Sequence, residues 1–289
     1  MPATELEEDL LLVRAPNPSP LTADGTNTYL LGRDAAVIID PGPDEESHAA
    51  AIHAALAGRE VAAILVTHSH RDHSPLARSL SDTSGAPVYA FGPTGAGTSA
   101  IMASLDGALG GGEGADRDFV PDVTLAHGQS LTLGGERITA LHTPGHFGNH
   151  LCFGWRGALF SGDHVMGWAS TLVSPPDGDL TDFMASCALL KSREDRVYYP
   201  GHGAPVTDPA ARLAWLVTHR KAREAQIVAR LSSTPQSAAD ITEAVYLDVA
   251  RSLWPAASRN VLAHLIDLTA RGLAAPEGPL SEQAKFTRA

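Results

Sequence analysis

The sequence has few cysteines, no long apolar run and fewer positive than negative charges. Its two cysteines, Cys152 and Cys187, cannot form the disulfide framework of a small secreted protein, and each lies among apolar residues where a buried free thiol is expected. No stretch approaches the roughly eighteen apolar residues of a membrane span, and the acidic N-terminus lacks the basic start of a secretory signal. These absences predict a cytoplasmic protein with no membrane partner.

The negative charge is unevenly distributed along the chain. There are 21 Lys and Arg residues against 33 Asp and Glu residues, which gives a formal net charge of −12. Residues 212–289 carry ten positive and seven negative side chains, whereas residues 1–211 carry 11 and 26. An acidic surface repels nucleic acid and anionic membranes, so residues 1–211 are poorly suited to a polyanionic ligand.

A cluster of metal-binding side chains follows residues 61–66, an apolar run with the composition of a buried strand. The cluster consists of His68, His70, Asp72 and His73. Imidazole and carboxylate suit a borderline divalent ion such as zinc, and four such donors exceed what one tetrahedral ion takes from so short a loop. Alternate residues of an extended segment share a face, so His68 and His70 are expected on one ion. The turn that follows would present Asp72 and His73 to a second ion.

The His-x-His-x-Asp-His pattern of residues 68–73 resembles the motif of the metallo-β-lactamase superfamily, and three further stretches match that family in the same order. Residues 143–146 read Thr-Pro-Gly-His, residues 160–164 read Phe-Ser-Gly-Asp-His, and residues 199–203 read Tyr-Pro-Gly-His-Gly. Each stretch follows a short apolar run. All are therefore expected to meet at one edge of a sheet sandwich.

The resemblance implies two zinc ions per chain and a set of seven ligands. The first ion would be bound by His68, His70 and His146, the second by Asp72, His73 and His202, with Asp163 between the two ions. Zinc is expected because histidine predominates among the ligands. A water molecule bridging the ions would be a hydroxide near neutral pH and would act as the nucleophile, with Asp72 as the catalytic residue that orients it.

Three more residues are expected beside the ligands. Asp40 resembles the family's carboxylate that orients an imidazole through its distal nitrogen, although a turn cap before Pro41 fits equally well. His150 stands where the family's longer Thr-Pro-Gly-His-x-x-x-His pattern often has histidine. His164 either contacts the substrate or makes a structural hydrogen bond. At Phe147 an aromatic ring replaces the family's usual Thr or Ser.

The implied fold is α/β: a four-layer αβ/βα sandwich over residues 1–209, then a small helical, winged-helix-like domain over residues 210–289. In the sandwich, helices are predicted at residues 45–56, with His48 towards solvent, and in an insert at residues 98–109. The C-terminal helices are predicted at residues 213–231, from residues 234–237 to residue 246, and at residues 256–273. Three helices followed by a Gly- and Pro-punctuated ending resemble a winged helix.

Three functions fit the sequence. The first is hydrolysis of a small-molecule substrate, an ester, thioester or lactam, which the acidic charge of residues 1–211 favours. The alternative is a single-strand RNA endoribonuclease, because the combination of domains resembles the lactamase-β-like subfamily that includes RNA-cleaving members. A mononuclear iron persulfide-type dioxygenase ranks last, since both ligand sets are complete. The C-terminal cations are scattered, so those helices are expected to pack on the catalytic domain or form a homodimer rather than bind RNA.

Overall fold

The structure is a computed structural model, which describes residues 3–109, 112 and 114–289. Its N-terminal sheet has seven strands in the order of the sequence. They are β1 (Thr4–Glu7), β2 (Leu10–Arg14), β3 (Asn27–Leu31), β4 (Ala35–Ile39), β5 (Glu60–Leu65), β6 (Val88–Ala90) and β7 (Val123–Thr124). The strands from β1 to β4 pair antiparallel, and those from β4 to β7 pair parallel.

A second sheet of five strands faces the first, with the order β12-β11-β10-β9-β8. Its strands are β8 (Ser130–Leu133), β9 (Glu136–His142), β10 (Leu151–Trp155), β11 (Ala158–Gly162) and β12 (Val197–Pro200). Only the β11–β12 pair is parallel among these described strands. The helices outside the two sheets are α1 (Glu46–Leu56), α2 (Leu76–Ser84), α3 (Ala100–Ser104) and α4 (Leu180–Lys191).

Alternating apolar residues build the predicted four layers. In β4, Val37 and Ile39 face the second sheet and pack with residues such as Phe153 of β10. The intervening Ala36 and Ile38 face α1 and α2. The second sheet is covered on its outer side by α4, where Phe183, Cys187 and Leu190 pack against Cys152. Both cysteines are buried free thiols, as expected, and burial raises the pKa of each to about 12.

The C-terminal part contains α5 (Pro209–Arg230), α6 (Ala238–Val245), a short 3₁₀ turn (Arg251–Leu253) and α7 (Trp254–Ala270). A three-stranded sheet completes it, with β13 (Gln236–Ser237), β14 (Ala274–Pro276) and β15 (Lys285–Arg288). Ser237 caps α6 through a reciprocal pair of hydrogen bonds with Asp240. The predicted winged-helix-like domain is therefore present, and its Gly- and Pro-punctuated ending forms a β-hairpin.

Helix α5 belongs to two apolar cores. Leu213 and Leu216, in its first half, pack with α4 and the second sheet. Ile227, near its end, packs with α6 and α7 in the C-terminal core. None of the described helices combines enough length and apolarity to cross a membrane.

Two local predictions differ from the structure. The prediction that His48 faces solvent is wrong: its side chain is buried, and its Nε2 atom lies 2.8 Å from the Thr28 hydroxyl. The insert at residues 98–109 contains only the single-turn helix α3, because turns around Gly107 end it early. The chain instead folds back, so that Met102, Leu105 and Leu109 pack against the C-terminal core.

Candidate metal centre

Four strand ends deliver the predicted ligand residues to one edge of the sandwich. The loop after β5 carries residues 68–73, and the loop after β9 carries His146. Asp163 directly follows β11, and His202 follows β12 by two residues. Each strand is hydrogen-bonded within its sheet, so a side chain just beyond its end has a well-defined position at the mouth of the sandwich.

The first group of ligand atoms comes from His68, His70 and His146. The Nδ1 atom of His70 lies 2.9 Å from Nε2 of His68 and 3.1 Å from Nε2 of His146. These are the three residues that the sequence assigned to the first ion. Their ring nitrogens converge on one point at the spacing expected around a single metal ion.

The second group comes from Asp72, His73 and His202. The Nε2 atom of His202 lies 3.1 Å from Oδ2 of Asp72 and 3.3 Å from Nε2 of His73. The carboxylate of Asp72 is the most exposed member of the group, at 29%. It therefore faces the cleft, where a substrate would enter.

Asp163 lies between the two groups. Its Oδ2 atom is 3.7 Å from Nε2 of His146 in the first group and 3.3 Å from Nε2 of His202 in the second. Its Oδ1 atom is buried, has no hydrogen-bond partner within normal geometry among the described residues, and lies 3.5 Å from Nε2 of His73. A buried carboxylate oxygen with only this long contact is costly, and a bound cation would satisfy it.

The hydrogen bonds on the far sides of the rings show that this donor set fits a metal. The Thr67 hydroxyl donates to Asp40, so its oxygen accepts from Nδ1–H of His68 at 3.0 Å. The Nδ1–H of His146 donates to the carbonyl of Leu172 at 2.7 Å. Both rings therefore present lone pairs to Nδ1 of His70, whose single proton is poorly placed to serve both. A cation at the centre removes the conflict.

The protonation of the two groups differs. Burial lowers the pKa of His68 well below its ordinary value, that of His70 to about 3, and that of His146 as well. These three imidazoles are neutral at neutral pH, the form that binds metals.

In the second group, burial opposes protonation of His73, but the surrounding carboxylates outweigh it and raise the pKa of His73 well above its ordinary value. Burial also opposes protonation of His202, but Asp163 and Asp72 outweigh burial and raise the pKa of His202 to about 9. Burial likewise favours the neutral forms of Asp72 and Asp163, but the two imidazoliums keep both carboxyl pKa values below the ordinary range. Metal binding must therefore displace protons from this group.

Gly201 allows the ligands to approach one another. A Cβ atom at this position would lie 2.4 Å from Oδ1 of Asp163 and 2.6 Å from Cε1 of His73. Any side chain here would displace a ligand residue, which explains glycine immediately before His202.

The three residues predicted beside the ligands have different surroundings. Asp40 accepts hydrogen bonds from the backbone and hydroxyl of Thr67, both at 2.7 Å, and from Nδ1 of His73 at 2.9 Å. His150 packs against the His68 ring with centroids 5.1 Å apart, and its Nδ1 atom contacts the Thr143 hydroxyl. His164 is fully buried beside Phe183, with Nε2 3.6 Å from Cys187 Sγ, and does not line the cleft.

Two positioning groups were not predicted from the sequence. Thr67 and the backbone carbonyl of Leu172 each bind the distal nitrogen of a predicted ligand. Thr67 directly precedes His68, so the sequence alone could have indicated that its hydroxyl contacts the His68 ring. A carbonyl contact such as that of Leu172 carries no side-chain pattern, so the sequence offers no indication of it.

The metal centre opens into a cleft of about 990 Å³. One wall comes from the sandwich and the opposite wall from the C-terminal domain. Apolar side chains supply much of the lining, among them Leu21, Met166, Trp168, Trp254 and Leu262. The participation of residues beyond 236 in this cleft was not predicted.

Two family models match the chain. The model of the metallo-beta-lactamase superfamily matches residues 21–202, and that of the beta-lactamase associated winged helix domain matches residues 237–279. The first match includes all seven predicted ligands and covers more than half of the chain.

Relatives of known name resemble most of the chain. The Beta-lactamase-like protein 2 homolog of Drosophila melanogaster is 31% identical over 288 residues, which cover 93% of this chain and 90% of the relative. An atrochrysone carboxyl ACP thioesterase of Passalora fulva is 29% identical over 241 residues, which cover 79% of this chain and 63% of that enzyme.

Solved structures share the fold over different lengths. A metallo-beta-lactamase family protein from Thermus thermophilus has a TM-score of 0.79 and 26% identity, with 99% of this chain and 100% of that chain covered. A second structure, solved in a di-iron-bound form, has a TM-score of 0.51 and 27% identity, with 68% and 95% covered. The first similarity includes the C-terminal part, whereas the second covers about two-thirds of the chain.

Proposed function

The chain belongs to the metallo-beta-lactamase superfamily and is a hydrolase, and we propose that it uses two zinc ions to cleave a small thioester, ester or lactam. The observation that carries the proposal is the convergence of His68, His70 and His146 in one group and Asp72, His73 and His202 in another, with Asp163 between them. Histidine outnumbers carboxylate in this set, which favours zinc. Iron is the alternative metal, since a relative was solved with two iron ions.

Two bound zinc ions would supply an acidic water molecule and polarise the carbonyl group of the substrate. The protein's own contribution is to hold the ligands and to position groups around the attacked bond. The Asp72 carboxylate would accept a hydrogen bond from the attacking water, and the Thr26 hydroxyl lies 3.4 Å from its Oδ2 atom. The distal hydrogen bonds of His68, His73 and His146 fix their rings before substrate binds.

The cleft lining supports a small, partly apolar substrate. Trp168 is 43% exposed on the sandwich wall, and Trp254 lies on the C-terminal wall. Such rings bury the apolar body of a ligand at little entropic cost. The relative named as a thioesterase supports a thioester within this class.

The charges of the cleft disfavour a polyanion. Beyond the metal centre, the described residues that line it include three carboxylates: Asp177, Glu243 and Glu282. The cations that line it are Arg251 and Arg259, and Arg259 forms an ion pair with Glu282. An RNA backbone in this cleft would therefore meet at least as many negative as positive side chains.

RNA cleavage is the second candidate function, favoured by exposed cations on the C-terminal part. The exposed cations there include Lys221, Arg230, Arg251, Arg271, Lys285 and Arg288. They are spread over α5, the 3₁₀ turn, the end of α7 and β15 rather than one helix face, so they supply a weaker phosphate-binding surface than a basic recognition helix would.

The test is an assay of metal-loaded protein on three substrate sets: acyl thioesters of increasing chain length, lactams and fluorescent single-stranded RNA. Metal analysis of the same preparation should find two ions per chain, with zinc in excess of iron. Thioester or lactam turnover that disappears in Asp72→Asn is the expected result. Cleavage of RNA alone would overturn the substrate assignment, and one tightly held ion per chain would overturn the binuclear site.

A further inference from the structure

A loop of residues 166–175 connects the metal centre to the C-terminal helices. It contacts two predicted ligands. Its backbone reaches the first, because the carbonyl of Leu172 accepts the Nδ1–H of His146 at 2.7 Å. The Thr171 hydroxyl donates to the backbone carbonyls of Asp163 at 3.0 Å and His164 at 3.2 Å. Thr171 has a φ of 62°, a conformation that threonine rarely adopts and that needs support from its surroundings.

Four side chains of α5 and α7 bind this loop from the other side. Arg212 donates to the carbonyls of Met166, at 2.6 Å, and Ala169, and Arg220 donates to those of Ser170, at 2.7 Å, and Thr171. From α7, Arg259 donates to the Ser174 hydroxyl at 3.0 Å, and Asn260 accepts from the backbone N–H of Val173 at 3.0 Å. The C-terminal helices therefore contact the loop from one end to the other.

Arg220 is the centre of this arrangement. It is 3% exposed, and among the described residues no carboxylate lies within ion-pair distance of it. Its guanidinium instead donates to loop carbonyls and to Oδ1 of Asn260 at 2.8 Å, and it lies over the Phe183 ring. A buried charge without a counter-ion opposes folding, and apolar residues of similar size are often better for stability alone. Its hydrogen bonds to the loop account for an arginine here.

We infer that Arg220 and Asn260 are positioning residues for the metal centre, which act through the 166–175 loop on His146 and Asp163. When the loop is held, the Leu172 carbonyl keeps the His146 proton on Nδ1 and directs Nε2 towards the metal. When the loop is released, the ring can rotate or change tautomer. Loss of such a distal hydrogen bond typically reduces metal affinity by about 10–100-fold. The inference rests on the proposed metal site.

The test compares Arg220→Lys with Arg223→Lys in the full-length, metal-loaded protein. Arg223 is a matched control, because it is a buried arginine on the same helix that donates to Val245 and Asp248 instead of the loop. The metal dissociation constant, measured by competition with a chelator, should be at least about 10-fold higher in Arg220→Lys than in the wild type. In Arg223→Lys it should stay within about twofold of the wild-type value. Equal effects in the two variants, or no effect in either, would overturn the inference.

Variants of Asn260 provide a second test, which does not depend on whether Arg220→Lys folds. Asn260→Asp retains an oxygen for both Val173 N–H and Arg220, so it should hold metal like the wild type. Asn260→Leu removes both contacts and should lose affinity; wild-type affinity in this variant would contradict the inference.

Nitrogen-15 shifts of the His146 ring in metal-free protein separate this inference from the proposed function. They should report a proton fixed on Nδ1 in wild type and Asn260→Asp, and mixed tautomers in Arg220→Lys. A fixed tautomer in Arg220→Lys would overturn the positioning role. Wild-type protein that binds no metal would overturn the proposed metal centre, whereas the tautomer measurement would still show whether the loop holds His146.

Discussion

Asp40 Oδ2 lies 2.9 Å from Nδ1 of His73, on the side of the ring that faces away from the other ligand residues. The same carboxylate accepts two hydrogen bonds from Thr67, and Thr67 in turn holds the distal nitrogen of His68. One buried carboxylate thus orients a ligand of each predicted ion. The alternative reading of Asp40 as only a turn cap does not account for these contacts.

Asp40→Asn should weaken metal binding by about 10–100-fold while the fold remains intact. The amide can still accept from the Thr67 backbone, but it loses the charge that supports the proton on His73. Metal affinity measured by competition with a chelator tests this. Asp44→Asn is the control, since Asp44 is exposed on the same loop; similar losses in both variants would rule out a specific role for Asp40.

Asp72→Asn should reduce turnover by about 10²–10⁴-fold at matched metal content, because it removes the carboxylate that is proposed to orient the attacking water. Asp72 lies at the cleft surface, so the melting temperature should remain close to that of the wild type. Asp82→Asn, on the exposed side of α2, should retain full activity. If Asp72→Asn keeps more than a few per cent of the activity, the assigned role is wrong.

His264 should make the protein less stable in mild acid. Neither ring nitrogen of His264 has a hydrogen-bond partner among the described residues, and burial lowers its pKa to about 3. The unfolded chain therefore binds a proton below pH 6.5 that the folded protein does not bind until about pH 3. Stability is fully present above pH 6.5 and falls by up to about 1.4 kcal/mol per pH unit below it.

His264→Leu removes this ionisation from α7. Urea unfolding of the metal-free proteins at neutral pH and in mild acid should show a smaller loss of stability for the variant than for the wild type. The other histidines contribute equally to both proteins, so the difference reports His264. Identical pH dependences would show that His264 is not responsible.

RNA binding should be weak, and charge reversal of the exposed cations of the C-terminal part should not change it. Reversing the charge of Arg220 or Arg223 is uninformative, since both are buried and bound within the protein. The variants to compare are Lys221→Glu, Arg230→Glu and Arg251→Glu, in gel-shift titrations at low and physiological salt. Tight binding with a steep salt dependence that these reversals abolish would favour the nuclease over a small-molecule hydrolase.

The sandwich and its ligand loops were predictable because both rest on short-range patterns. An unbroken apolar run identifies a strand that is covered on both faces, because successive side chains of a strand point to opposite faces. The run consists of Ala36, Val37, Ile38 and Ile39. The ligands of the second sheet follow β9, β11 and β12, whose ends lie at one edge because β9 and β11 are both antiparallel to β10 and β11 is parallel to β12. The helices of the C-terminal part were also predictable, since their apolar spacing is local.

Contacts between distant segments were not predictable from those patterns. Arg220 and Arg223 are buried by other segments of the chain, which the apolar spacing of their own helix does not indicate. The helical spacing around His48 predicts an exposed side chain. Spacing alone cannot show that Gly42 leaves room for the His48 ring in the interior. The cleft lining from α6 and α7 depends on how the C-terminal part docks, which no local pattern encodes.

The side chains that hold the 166–175 loop come from α5 and α7, so they follow it in the chain. During synthesis on the ribosome, the strands that carry the predicted ligands emerge before these helices. At that stage the loop carbonyls are hydrated, and His146 lacks a fixed acceptor for its distal proton. Metal affinity is therefore expected to reach its full value only after α5 and α7 have docked, and a chain that ends before α5 should bind metal about 10–100-fold more weakly than the full-length protein.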